Sequence, residues 1–283
     1  MTNGGGDRMD GVLVIDKPAG MTSHDVVAAV RRALGRAGSG QSKVGHTGTL
    51  DPDATGVLVV CIGRATRLVP YLQPSAKTYS ARMCLGETTT TLDASGQVVE
   101  RRDASPVDEA ALCEVLQSFV GTIEQTPPMV SAVKVGGERL YVKARRGEQV
   151  ERPARTVTVH NIVLEDFAPG PRAEATFLVT CSGGTYVRAL AADVGERLGV
   201  GAHLVGLRRL GSGRFSLEGA LDLHKVAELG AQRRLSEALL SPAEAVADYP
   251  AVTPDAEQRQ ALRHGRPLPP TGLPGPVAAL DPS

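Results

Sequence analysis

The stretch Lys43-Val44-Gly45-His46-Thr47-Gly48-Thr49-Leu50-Asp51-Pro52-Asp53-Ala54-Thr55-Gly56 decides how this chain is read. Three glycines and a proline in so short a span force an irregular backbone that closely approaches something else. One histidine and two aspartates stand inside it. The apolar run Val57 to Ile62 follows at once and reads as a buried strand. Polar groups on a Gly-rich loop, anchored by a core strand, are what an active-site loop requires. Each residue alone has a plainer reading: Asp before Pro is commonly a turn residue, and a lone histidine is commonly structural.

Upstream, Gly11 to Ile15 is a short apolar strand that ends at the turn signal Asp16-Lys17-Pro18-Ala19-Gly20. Ser23 is a good N-cap with Asp25 in the first turn. Val26, Val27, Val30 and Leu34 share one helical face, and Gly35 stops the helix. Arg36 to Ser42 is a polar, Gly/Ser-rich loop. Downstream, Tyr79 to Leu85 alternates as a half-exposed strand, and Asp93-Ala94-Ser95-Gly96 is a turn. Ser105-Pro106 is expected to open a helix that ends before Gly121. Glu124 to Arg155 is irregular and holds seven Lys/Arg against four Glu. Thr156 to Val163 and Ala175 to Cys181 read as strands. Thr185 to Leu198 reads as a helix, and Leu204 to Leu217 as strand among arginines. The pattern is a mixed α/β (α+β) protein without a regular βαβ repeat.

A chain of 283 residues with 42% apolar content buries a sizeable core in one large domain, with room for a small second one. No apolar run approaches the roughly 20 residues that span a bilayer, and Met1 to Asp10 lacks the apolar core of a signal peptide. Residues 1–10 read as a disordered leader, and the chain as cytoplasmic. Cys61, Cys84, Cys113 and Cys181 are widely spaced and read as buried free thiols rather than a zinc site. The formal net charge is zero, which weighs mildly against nucleic acid; the basic cluster within 124–155 and the five arginines from Thr185 to Arg214 weigh for it.

Five segments in register carry a family resemblance. The opening stretch resembles the catalytic motif of the TruB family of tRNA pseudouridine synthases. Lys17-Pro18-Ala19-Gly20-Met21-Thr22-Ser23 is similar to its N-terminal motif, and Lys77-Thr78-Tyr79 to its K-x-Y strand. Gln125 to Arg155, with Val130-Ser131-Ala132-Val133-Lys134 and Tyr141-Val142-Lys143-Ala144-Arg145, resembles its RNA-gripping insertion. Cys181-Ser182-Gly183-Gly184-Thr185-Tyr186-Val187-Arg188 resembles its GTYIR-type motif.

The resemblance implies a pseudouridine synthase fold: a mixed, mostly antiparallel sheet flanked by helices and loops. It implies isomerisation of uridine 55 in the T-loop of tRNA, the T-arm being the partner. It makes Asp51 the nucleophile, Arg188 the arginine that pairs with it, and Tyr79 the residue packed on the uracil and a candidate base. Tyr186 and Leu207 line the uracil pocket, and His46 fills the stack that a flipped base vacates. Lys17 and Pro18 support the loop, and Asp53 is left as a turn carboxylate. The chemistry has no redox step, so no cofactor or metal is implied, and the family suggests a monomer with no obligatory protein partner.

The resemblance covers roughly residues 11–240. A catalytic domain is expected over 11–244, with the insertion at about 124–155. The last 42 residues hold nine of the 19 prolines, and 245–283 is expected to be a PUA-like segment too short to be taken as a complete domain. Two other readings share these motifs: the guide-dependent catalytic subunit of H/ACA ribonucleoproteins, and an RNA chaperone that refolds tRNA through the T-arm.

Overall fold

The structure, a computed structural model, describes residues 9–35, 43–131, 134–140, 143, 146, 148 and 150–281. Most of the expected leader, the loop Arg36 to Ser42, and Ala132, Val133, Tyr141, Val142, Ala144 and Arg145 of the insertion lie outside the described residues.

The chain starts with β1 (Gly11–Lys17), α1 (Ser23–Leu34), β2 (Val44–His46) and β3 (Thr55–Ile62). It continues through β4 (Lys77–Leu85), the hairpin β5 (Glu87–Thr89) and β6 (Val98–Arg101), α2 (Glu109–Gln117) and β7 (Gly121–Gln125). Within the insertion lies a small hairpin, β8 (Lys134–Val135) and β9 (Glu138–Arg139). Then come β10 (Arg155–Ala168), β11 (Glu174–Cys181), α3 (Val187–Arg197), β12 (Ala202–Ser212), β13 (Phe215–Ser216) and α4 (Leu223–Ala231). The C-terminal segment holds β14 (Ala251–Val252), α5 (Ala256–Arg263) and β15 (Ala278–Ala279).

Nine of these strands form one sheet in the order β1-β3-β12-β4-β11-β10-β7, with β2 beside β3 and β13 beside β12. Every ladder in it is antiparallel except β3 against β12, where Arg208 and Arg209 pair with Thr55 and Gly56. This is the expected mixed, mostly antiparallel sheet. The long crossover that brings β12 between β3 and β4 carries distant segments to one place. The opening loop ends at β3, Tyr79 lies on β4, and Leu207 and Arg209 lie on β12. Tyr79 pairs with Arg209, and alternation turns Leu207, two residues earlier, to the same side.

α2 and α3 cover one face through Leu112, Leu116, Leu190 and Val194, against Met83, Phe177 and Ile162. α1 and α4 cover the β1–β3 end through Val26, Val30, Val226 and Leu229. Each fully buried side chain of this size contributes about 1.5–3 kcal/mol, so both layers hold the sheet that carries the loop. β4 keeps the alternation expected of it: Tyr79, Ala81, Met83 and Leu85 are buried on one face, while on the other Thr78 and Ser80 are half-buried, Arg82 is exposed and only Cys84 is buried.

Several boundaries differ from expectation for local reasons. Thr22, not Ser23, caps α1: its side chain accepts from Asp25 N–H, and Asp25 returns a bond to the Thr22 backbone. α2 starts after Asp108, which caps it, three residues beyond Ser105. Cys61, Cys84 and Cys181 are buried, but Cys113 is only half-buried. No described helix is long and apolar enough to cross a membrane.

Candidate active site

The loop between β2 and β3 is stapled from three sides. Ser23 Oγ accepts from Leu50 N–H at 2.9 Å and donates to Leu50 O at 3.1 Å, which explains why this serine is buried rather than capping. Lys17, fully buried, donates from Nζ to Pro18 O and Pro52 O, both at 2.8 Å. Burial lowers its pKa from the usual lysine range, against the pull of Asp53, Asp51 and Asp25. Arg209, itself buried, donates from Nε to Val57 O at 2.6 Å and from Nη2 to Gly48 O at 3.2 Å. Gly56 has φ +100° where the loop meets β12, and a Cβ there would overlap the Arg209 backbone. Glycine is required at that position.

These staples present Asp51 to Arg188, whose side chain is only 4% exposed. Arg188 Nε lies 3.0 Å from Asp51 Oδ2, and Nη2 lies 3.1 Å from Asp51 Oδ1, a bidentate pair. Nη2 also donates to Val130 O at 2.8 Å. Nη1 donates to Thr91 O and to Asp93 Oδ2, each at 3.1 Å. Each guanidinium nitrogen therefore has an oxygen partner within 3.1 Å. Asp51 keeps 42% of its side-chain surface open, yet the pocket strips enough water to raise its pKa. Arg188 opposes that rise and Asp93 adds to it.

In the sequence Asp93 shows only as part of a turn. It is also the second carboxylate on Arg188. Its Oδ1 accepts from Thr91 Oγ1 at 2.6 Å, Ser95 Oγ at 2.5 Å and Ser95 N–H at 3.0 Å, so the turn fixes the carboxylate in place. Nothing local in Asp93-Ala94-Ser95-Gly96 reveals a partner 95 residues away.

Asp51, Tyr79, Tyr186, Arg188 and Leu207 line one pocket of about 340 Å³, joined by Lys77, Ser131, Arg155 and Arg209. Burial pushes the Lys77 ammonium down to about 8, with Arg209 adding to the effect. Tyr79 is buried; desolvation raises its phenol above the usual range although Arg209 pulls the other way, so it is neutral at neutral pH. Burial likewise raises Tyr186, opposed chiefly by the Ser131 hydroxyl. That hydroxyl lies close enough to influence the phenol but meets no hydrogen-bond geometry. Ser131 Oγ is the one buried side-chain polar atom without a partner among the described residues.

His46 lies at the end of β2, outside the residues lining the pocket. Its Nδ1 accepts from Gly48 N–H at 3.3 Å, and its ring meets His24 edge-on at a centroid distance of 5.6 Å. Burial, then His24 and Arg209, bring its pKa to about 4, so the imidazole is neutral. Pro18 and Asp53 are exposed. Among the described residues no group of three or more His, Cys, Asp or Glu is placed to hold a metal ion.

This geometry fits a known family. Residues 35–187 match the N-terminal domain of TruB family pseudouridylate synthases. Residues 188–247 match the C-terminal domain of tRNA pseudouridylate synthase B, and 249–283 the C-terminal region of tRNA pseudouridine synthase II. The tRNA pseudouridine synthase B of Symbiobacterium thermophilum is 51% identical over 93% of this chain and 84% of its own length. That of Thermobifida fusca is 46% identical over 96% and 91%. Among solved structures, a Cbf5-Nop10-Gar1 complex aligns with a TM-score of 0.69 and 33% identity, over 90% of this chain and 67% of that one. An H/ACA ribonucleoprotein bound to a substrate RNA containing 2′-deoxyuridine aligns at 0.68 and 30%, over 91% and 67%. With its matched models spanning nearly the whole sequence and its relatives near half identical, this chain belongs to the TruB family of pseudouridylate synthases.

Proposed function

We propose that this enzyme isomerises a uridine of tRNA to pseudouridine, at position 55 of the T-loop, with Asp51 as its nucleophile. The observation that carries the reading is the bidentate Asp51–Arg188 pair at the wall of a pocket of nucleoside size. In the reaction the C1′–N1 bond breaks, the uracil turns, C5 bonds to C1′, C5 loses its proton and N1 gains one. Atoms and electrons balance without an oxidant or a cofactor. Asp51 supplies negative charge at C1′ as the glycosidic bond breaks. Burial alone would favour its protonated, inactive form; Arg188 favours the ionised one.

In this account Tyr79 packs its neutral ring on the uracil, with Tyr186 and Leu207 closing the pocket. A role for Tyr79 in taking the C5 proton requires its phenolate, which Arg209 favours and burial disfavours. His46, a neutral ring at the end of β2, fills the gap left when the uridine leaves the T-loop stack. Lys17 holds the loop through the carbonyls of Pro18 and Pro52. Residues 11–244 form the catalytic domain, the insertion at about 124–155 grips RNA, and 245–283 form a short PUA-like segment. The enzyme works in the cytoplasm as a monomer. The tRNA substrate is favoured over guide-dependent action because identity to the tRNA enzymes is well above identity to the ribonucleoprotein structures.

Mapping pseudouridine in a tRNA transcript incubated with the purified protein tests this. Pseudouridine is expected at position 55 alone. Its appearance elsewhere overturns the site, and its absence with tight tRNA binding favours the chaperone reading.

A further inference from the structure

We infer that Gln125 is a positioning residue for catalysis, tying the root of the insertion to the start of the helix that carries Arg188. The inference rests on the proposed function of that site.

Gln125 is the last residue of β7 and is 2% exposed. Its ladder partner is Arg155, where the chain returns in β10, so this pair closes the base of the insertion. The Gln125 side chain reaches across 61 residues to Tyr186. Its Oε1 accepts from Tyr186 N–H at 2.7 Å, and its Nε2 donates to Tyr186 O at 3.1 Å. Both backbone groups of one residue are thus held by a single amide, as a strand neighbour would hold them.

Tyr186 is the N-cap of α3, and no side chain of its own caps that helix. A helix start normally takes its cap from Ser, Thr, Asp or Asn. Here the anchoring amide comes from a distant strand. Tyr186 O also accepts the first helical bond, from Leu190 N–H at 3.0 Å. The orientation of the first turn, and of Arg188 within it, is therefore referred to β7. Five residues beyond Gln125, Val130 O accepts from Arg188 Nη2 at 2.8 Å. Residues 125–130 hold both the backbone preceding Arg188 and the guanidinium at its tip. A displacement of the insertion on meeting RNA would pull on both contacts. RNA engagement is in this way coupled to how well Arg188 holds the Asp51 carboxylate.

The test compares wild type, Gln125→Met and Gln125→Glu. Methionine keeps the length of the side chain and loses both hydrogen bonds; glutamate keeps the acceptor and loses the donor. Three quantities are measured: the single-turnover rate on saturating tRNA, the tRNA Kd, and the titration of the Asp51 carboxyl by carbon NMR. For Gln125→Met the rate should fall about tenfold or more, with Kd changed by less than about threefold. The Asp51 titration should move to higher pH. Gln125→Glu should fall in the same direction by a smaller factor, and it carries the test if the methionine variant does not fold. A rate within about twofold of wild type with an unmoved Asp51 titration overturns the inference. So does weakened tRNA binding with an unchanged saturated rate, which would make Gln125 part of the RNA grip alone. A wild type that makes no pseudouridine sinks the proposed function instead, and the Asp51 titration still tests the link from Gln125.

Discussion

Replacing Arg188 with lysine keeps a positive charge and removes the fork that matches a carboxylate. Arg188 makes four hydrogen bonds through Nη1 and Nη2 and an ion-pair contact to Asp51 through Nε. A lysine ammonium has three donors, so at least two of the five contacts, to Asp51 Oδ1, Asp51 Oδ2, Asp93 Oδ2, Thr91 O and Val130 O, are lost. A hydrogen bond to a charged group is worth about 1.5–3 kcal/mol. Because Asp51 is partly open to water, the lower figure applies, and two such bonds come to about 3 kcal/mol. If that loss falls on the transition state, Arg188→Lys slows the chemical step by about 10²-fold. The assay is release of tritium from C5-labelled uridine in tRNA, in a single turnover with enzyme in excess. Circular dichroism melting confirms that the variant folds. A folded Arg188→Lys enzyme within about fivefold of wild type would refute the claim that the bidentate pair matters, since charge alone would then suffice.

The pH dependence follows from the raised Asp51 carboxyl: activity needs its ionised form, so the rate falls as pH drops through a value above the ordinary 3.8. A rate flat down to that ordinary value contradicts this. The same raised pKa favours the protonated carboxyl in the fold; its stabilising contribution is present at low pH and is lost as pH rises through the raised value. His46→Ala removes a neutral ring whose stacking is worth about 1–3 kcal/mol; turnover of folded tRNA should slow about 5- to 100-fold, and unchanged kinetics refute its role in filling the stack. Gly56→Ala puts a Cβ into the Arg209 backbone at φ +100° and should destabilise the protein by more than about 2 kcal/mol, read by urea unfolding. A change under about 0.5 kcal/mol would show that the loop has another way to meet β12.

The parts of the site that were legible are those whose chemistry is written within a few residues. The loop 43–56 shows its glycines and acids together, and the amphipathic face of α1 is visible as Val26, Val27, Val30 and Leu34. The features that escaped the sequence depend on long-range pairing. Asp93 looks like any turn aspartate until α3 brings Arg188 to it. Gln125 marked only the edge of an irregular stretch, because its partner is a backbone amide 61 residues on. Ser23 has the residue type of a cap but spends its hydroxyl on Leu50, and the cap passes to Thr22. Arg209 sat among other arginines and gave no sign that it would be buried against Val57 and Gly48.

Asp51→Asn is the most direct test, because it changes one oxygen of the pair and leaves the shape of the pocket. At neutral pH the fold should be as stable as wild type or more so, since an ionised carboxyl with a raised pKa is a cost to the folded state. Affinity for tRNA should change by less than about tenfold, roughly 1.4 kcal/mol. Pseudouridine mapped at nucleotide resolution in the T-loop should disappear. Retained turnover in a folded Asp51→Asn enzyme would contradict the account at its centre.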